Sequence, residues 1–159
     1  MQDLRVLLLL GIANFAPILA TRLLGGRLAT PLDGGASMPD GRPVFGAGKT
    51  LRGVLLSILC TASAAPLVSL NPLLGAGLAA GAMAGDLFAS FCKRRLGLPP
   101  HARAFGLDQI PEVLLPLLLM QPWLGLRWRE VAIVVVVFVL LDIVLSRVLY
   151  HLSIRERPY

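Results

Sequence analysis

The sequence predicts an all-α integral membrane protein of about five transmembrane helices. Three observations carry that prediction. The 159 residues are 56% hydrophobic and only 15% charged, and the mean hydropathy is +0.76, which excludes a disordered chain and an ordinary soluble domain. The apolar residues fall into stretches long enough to cross a bilayer at roughly 20 residues each. The cations gather in the segments between those stretches, with a formal net charge of +6.

The first span is expected over about 4–24. Its start carries Asp3 as well as Arg5, and it ends in cations, not in a small-residue cleavage site; it therefore reads as a retained helix and not as a signal peptide. Asn14 and Pro17 interrupt it. A proline within a span frees a backbone carbonyl, which needs a partner from protein or water.

A Gly- and Pro-rich loop over about 25–53 follows, with Arg27, Arg42, Lys49 and Arg52. Loops of this length are either functional or solvated linkers. The run Gly46-Ala47-Gly48-Lys49-Thr50 suits a lid or phosphate cradle, because glycines let backbone N–H groups approach an anion and Lys49 adds a charge. It is not a Walker A loop: Pro43 stands where that pattern needs its first glycine, and no strand precedes it.

The second span, about 54–70, is rich in small residues, which favours close helix packing. Asn71-Pro72 makes a turn into the third span, about 73–95, with glycines and alanines at three- and four-residue spacing. After a loop at 96–106, the fourth span covers about 107–124 and holds Pro111 and Pro116. The fifth, about 131–150, is interrupted by Asp142, Ser146 and Arg147. The whole chain is then one transmembrane domain, 1–159. The cations set the orientation. With the amino terminus outside, both large loops and the carboxyl terminus are cytoplasmic, and only Arg5, Arg127 and Arg129 lie outside. Cys60 and Cys92 have neither the number nor the spacing of a disulfide framework or zinc site.

The chemistry is concentrated between Gly85 and Glu112. On a helix, Asp86, Ser90 and Lys93 or Arg94 share one face. A carboxylate inside a span is costly unless it is paired or holds a cation. Asp86 is read either as an ion-pair partner of an arginine, such as Arg95 or Arg52, or as a ligand of Mg²⁺, which takes one or two protein carboxylates and completes its shell with water and phosphate oxygens. Asp108 offers a second carboxylate, folded back by a short loop, and Glu112 lies one turn on. Gln109 and Glu112 are also ordinary helix-start residues. Lys93-Arg94-Arg95 is either a membrane-surface anchor or a phosphate-binding cluster. Acids for a metal beside bases for phosphates are the parts of phosphoryl and nucleotidyl transfer. His101 alone is a weak signal. Asp142 is expected to pair with an arginine.

The order Gly85-Asp86-Leu87-x-x-Ser90-x-x-Lys93-Arg94-Arg95-x-Gly97, a short Pro/His loop, then Asp108-Gln109-x-x-Glu112 resembles the archaeal CDP-archaeol synthase family, as does Pro43-x-x-Gly46-x-Gly48-Lys49-Thr50-x-Arg52-Gly53 in the first loop. These are small CTP-dependent membrane cytidylyltransferases related to the CDP-diacylglycerol synthases. The resemblance extends over most of the chain. It implies that CTP and 2,3-di-O-geranylgeranylglyceryl phosphate give CDP-archaeol and pyrophosphate. Asp86, Asp108 and Lys93 would be catalytic, with Mg²⁺ held by Asp86 and Asp108 and, less strongly, by Glu112. Ser90, Arg94, Arg95, His101, Gly46, Gly48, Lys49 and Arg52 would bind the nucleotide and phosphates. The expected partners are CTP, an isoprenoid glycerol ether phosphate lipid and the cell membrane, with no nucleic acid; a homo-oligomer is also compatible. The expected location is a multi-pass protein with its active site facing the cytoplasm. A small anion transporter or channel is the competing expectation, although no inverted repeat is found. A CDP-alcohol phosphatidyltransferase is disfavoured, because Asp33-Gly34 does not continue into that family's motif.

Overall fold

A computed structural model describes residues 2–99, 102 and 104–151, the last three by backbone alone. Five helices follow one another: α1 (Gln2–Leu24), α2 (Leu51–Ala64), α3 (Pro72–Arg95), α4 (Ile110–Leu124) and α5 (Trp128–His151), with a single 3₁₀ turn (Ala65–Val68) extending α2. The all-α membrane plan holds. Four of these helical segments are long and apolar enough to cross a bilayer, while α4 has only 15 residues. At 1.5 Å per residue it is about 22 Å long.

The boundaries have local causes. Thr50 caps α2 by accepting a hydrogen bond from the Gly53 N–H at 3.3 Å. Asn71 accepts from the Leu73 N–H at 2.8 Å, and Pro72 supplies a first helical residue that needs no donor. The helix expected from about 107 starts at Ile110, because 105–109 form a turn stitched by its own side chains.

The core runs down the middle of the bundle: Val6, Leu9, Leu10 and Ala13 of α1, Leu78, Ala79 and Ala82 of α3, Val113 and Leu117 of α4, and Val134 and Phe138 of α5. α3 packs on α4, α2 and α1, and α5 closes against α1 and α4. The outer faces carry Leu55, Leu59, Leu119, Val136, Leu140 and Val144, the apolar surface that a bilayer would cover. One hydroxyl resolves the proline in α1. Pro17 cannot donate to the Ala13 carbonyl four residues back. The buried Ser57 hydroxyl donates to that carbonyl at 2.7 Å.

The approach of α3 to α4 positions everything that follows. A methyl group on Gly81 would stand 2.7 Å from the Pro116 Cα. One on Gly85 would meet the Pro111 carbonyl and stand 2.8 Å from the Glu112 Cα. The two backbones touch at these glycines, so the start of α4 is fixed just past the midpoint of α3.

Candidate active site

The antiparallel α3–α4 pair places Asp86, next to Gly85, at the same end of the bundle as the turn carrying Asp108. Each acid holds a lysine. Lys49 of the first loop donates to both Asp86 oxygens at 2.6 and 2.7 Å. Lys93, two turns beyond Asp86, reaches Asp108 Oδ1 at 2.5 Å. The other Asp108 oxygen accepts from the Ala104 N–H at 2.9 Å, so the loop before α4 is wrapped around this carboxylate. All four side chains keep partial contact with solvent. They form an open, charged patch containing the only two lysines of the chain.

The arginines behave differently. Arg52 is 8% exposed and donates to the Gly25 carbonyl at 2.7 Å and to the Arg27 carbonyl. It ties the start of α2 to the end of α1. Arg94 is 7% exposed and donates to the Pro99 carbonyl at 3.1 Å. Arg95 donates to both Asp40 oxygens at 2.7 and 2.6 Å and to the Pro43 carbonyl at 2.6 Å, and lies over the Phe91 ring at 5.3 Å. Arg42 returns the contact by donating to the Arg95 carbonyl at 2.6 Å. Three of the expected phosphate-binding groups, Arg52, Arg94 and Arg95, are thus engaged in holding loops to helix ends. A planar guanidinium with five donors suits that task. Nor do Arg95 and Arg52 supply the counter-ion of Asp86, which is Lys49.

The first loop is folded, not an open lid. Its ends meet at a bridge between Pro31 and Thr50, and Ser37 bridges Pro43. Asp33 organises the interior: it accepts from the N–H groups of Gly35 at 3.0 Å, Phe45 at 2.9 Å and Gly46 at 3.1 Å. Its pKa is lowered, first by the Phe45 N–H, while desolvation pulls the other way. Gly46 has φ +99°, a conformation that favours glycine, and directs the chain into the turn before Lys49. Because the Gly46 N–H is held by Asp33, the cradle expected there is filled from within. Gly48 is exposed beside Lys49. Asp40 accepts from the Arg42 N–H at 3.1 Å, which together with Arg95 lowers its pKa.

Of the remaining expected residues, Ser90 is buried on α3 and Glu112 lies on the first turn of α4. His101 lies outside the described residues. Asp142 of α5 accepts a hydrogen bond at 3.2 Å from Gln109, where an arginine was expected. Gln109 is buried and also accepts from the Gly106 N–H at 3.1 Å, which makes it the brace of the Asp108 turn. Asp33, Asp40 and Gln109 escaped the sequence reading as organisers. Asp33-Gly34-Gly35 and Asp40-Gly41-Arg42 do carry a signal, an aspartate bonding the N–H two residues on.

Among the described residues no group of three or more His, Cys, Asp or Glu side chains converges as a metal site. The donor set at the patch is two hard carboxylates, each already holding a cation. That set fits Mg²⁺, which needs few protein ligands when phosphates supply the others.

A family model described as CarS-like CDP-archaeol synthase matches residues 67–159. A CDP-archaeol synthase of Pyrobaculum calidifontis is 33% identical over 93% of this chain and 91% of its own length. One from Aeropyrum pernix is 35% identical over 93% and 86%, and one from Sulfolobus acidocaldarius 32% over 96% and 98%. A solved structure of an intramembrane enzyme for archaeal membrane lipids biosynthesis superposes with a TM-score of 0.72 at 30% identity, covering 87% of this chain and 90% of that one.

Proposed function

Since the chain belongs to the CDP-archaeol synthase family, we propose a division of labour among its residues for the reaction of that family. The chain is a multi-pass membrane cytidylyltransferase that makes CDP-archaeol. A phosphate oxygen of 2,3-di-O-geranylgeranylglyceryl phosphate forms a bond to the α-phosphorus of CTP, the bond from that phosphorus to the bridging oxygen breaks, and pyrophosphate leaves with the electron pair.

The observation that carries the residue assignment is the pair of lysine–aspartate contacts at one end of α3 and α4. The attacking phosphate monoester is largely dianionic at neutral pH, its second pKa being about 6. It therefore needs alignment and charge neutralisation more than a general base. Lys49 and Lys93 supply mobile positive charge for the triphosphate and the lipid phosphate. Asp86 and Asp108 would hold Mg²⁺, which would screen the triphosphate and draw charge from the leaving group. Arg42, Arg94 and Arg95 set the first loop and the 96–99 turn around the patch. We place this end at the cytoplasmic face, because Arg22, Arg27, Arg42, Lys49, Arg52 and the Lys93-Arg94-Arg95 run lie there, against Arg127 and Arg129 at the α4–α5 turn.

The test uses detergent-purified protein with labelled CTP, the lipid phosphate and Mg²⁺. Wild type forms lipid-linked CDP and pyrophosphate, and omission of divalent cation stops it. Asp86→Asn and Asp108→Asn each lose turnover with helix content unchanged. Turnover at the wild-type rate in both variants would remove the acids from the mechanism.

A further inference from the structure

We infer that Lys49 and Lys93 keep the two acids free of divalent metal until the nucleotide arrives, so that metal and CTP enter together. The inference rests on Asp86 and Asp108 being the metal acids. Each ammonium group lies at 2.5–2.7 Å from a carboxylate oxygen, where a cation held by that carboxylate would compete with it. The pairs are not incidental surface contacts. Lys49 is delivered by a loop that Asp33 folds from inside and that Arg95 fastens to the end of α3. Lys93 sits on the same helix as Asp86 but bonds the acid of the next element.

The competition follows from charge. A divalent cation entering the free enzyme must displace an ammonium group from its carboxylate, and must then sit beside it. The triphosphate changes the balance, because it provides oxygens for both lysines while it brings the metal. The lysines then pass from carboxylate to phosphate. They serve as stand-in cations in the empty site and as phosphate ligands in the filled one.

Equilibrium dialysis of Mn²⁺ against the full-length protein in detergent tests this without turnover. In the absence of CTP, Lys49→Met and Lys93→Met are expected to bind Mn²⁺ about tenfold more tightly than wild type, a shift of roughly 1.4 kcal/mol. The same variants bind CTP more weakly. Equal Mn²⁺ affinity in wild type and in both variants would overturn the inference, and circular dichroism establishes that the variants compared are folded. With CTP present, wild type retains Mn²⁺ while Asp86→Asn and Asp108→Asn do not. Retention by both asparagine variants would overturn the metal assignment itself. Loss in the asparagine variants, with no gain in either lysine variant, would overturn only the exclusion of metal from the free enzyme.

Discussion

Gly85 of α3 lies so close to Glu112 of α4 that a single added methyl would stand 2.8 Å from the Glu112 Cα. Backbone cannot give way as a flexible side chain can. Gly85→Ala is therefore expected to cost about 1–3 kcal/mol of stability, as overpacking does, and to move the turn that carries Asp108. Gly77→Ala is the control, since its methyl would meet only the end of the Met120 side chain, at 2.6 Å from Cε. Thermal unfolding in detergent and the rate of CDP-lipid formation together check this: Gly85→Ala falls in both, Gly77→Ala in neither.

Ser57→Ala removes the donor that satisfies the carbonyl freed by Pro17. The expected loss is about 1–3 kcal/mol, the desolvation cost of a buried acceptor left unmade. Pro17→Ala in the same background restores a donor within α1. It should recover part of the lost stability, measurable in the same melts.

Arg95 grips the first loop with two nitrogens: Nη1 donates to both Asp40 oxygens and Nη2 to the Arg42 and Pro43 carbonyls. Arg95→Lys keeps the charge and loses the fork. It is expected to raise the KM for CTP several-fold with a smaller change in kcat, because Arg95 fixes the loop that presents Lys49. Asp40→Asn should act in the same direction, and the double variant should be no worse than Arg95→Lys alone if one contact is responsible.

Acid should loosen the first loop. Asp33 has a lowered pKa in the folded chain, chiefly through the Phe45 N–H. A depressed carboxyl pKa means that its contribution is complete above the ordinary value of 3.8 and is lost as the pH falls through the lower folded value. Amide exchange at Phe45 and Gly46, measured relative to amides within α3, should show reduced protection below pH 3.8. Asp33→Asn should show the same loss at neutral pH.

The helical plan and the acids were legible because an apolar chain gives each polar residue little reason to be where it is. Asp86 inside a span and Asp108 at the head of the next stand out for that reason. The partners of those acids were not legible. Helical spacing put Lys93 on the face of Asp86, yet Lys93 bonds Asp108, and Asp86 receives Lys49 from 37 residues away. That exchange depends on how the first loop folds, which Asp33 and Arg95 decide through contacts between elements. The contacts of the arginines were not legible for a related reason: clustered positive charge looks alike in sequence whether it binds a ligand or the ends of helices. Asp142 is a similar case, because its partner Gln109 is an uncharged side chain with no electrostatic signature.

The shortness of α4 has its own consequence. At about 22 Å it cannot reach both surfaces of a hydrocarbon layer about 30 Å thick. The exposed indoles of Trp123 in α4 and Trp128 at the start of α5, 66% and 67% accessible, suit its far end to one water boundary. The opposite end, where Asp108 precedes the helix, then stops roughly 8 Å short of the other boundary by the same arithmetic. If Asp86 and Asp108 act as proposed, the lipid phosphate would meet them below the water boundary: the greasy substrate would slide in sideways without leaving its leaflet, and the water-soluble one would make the descent.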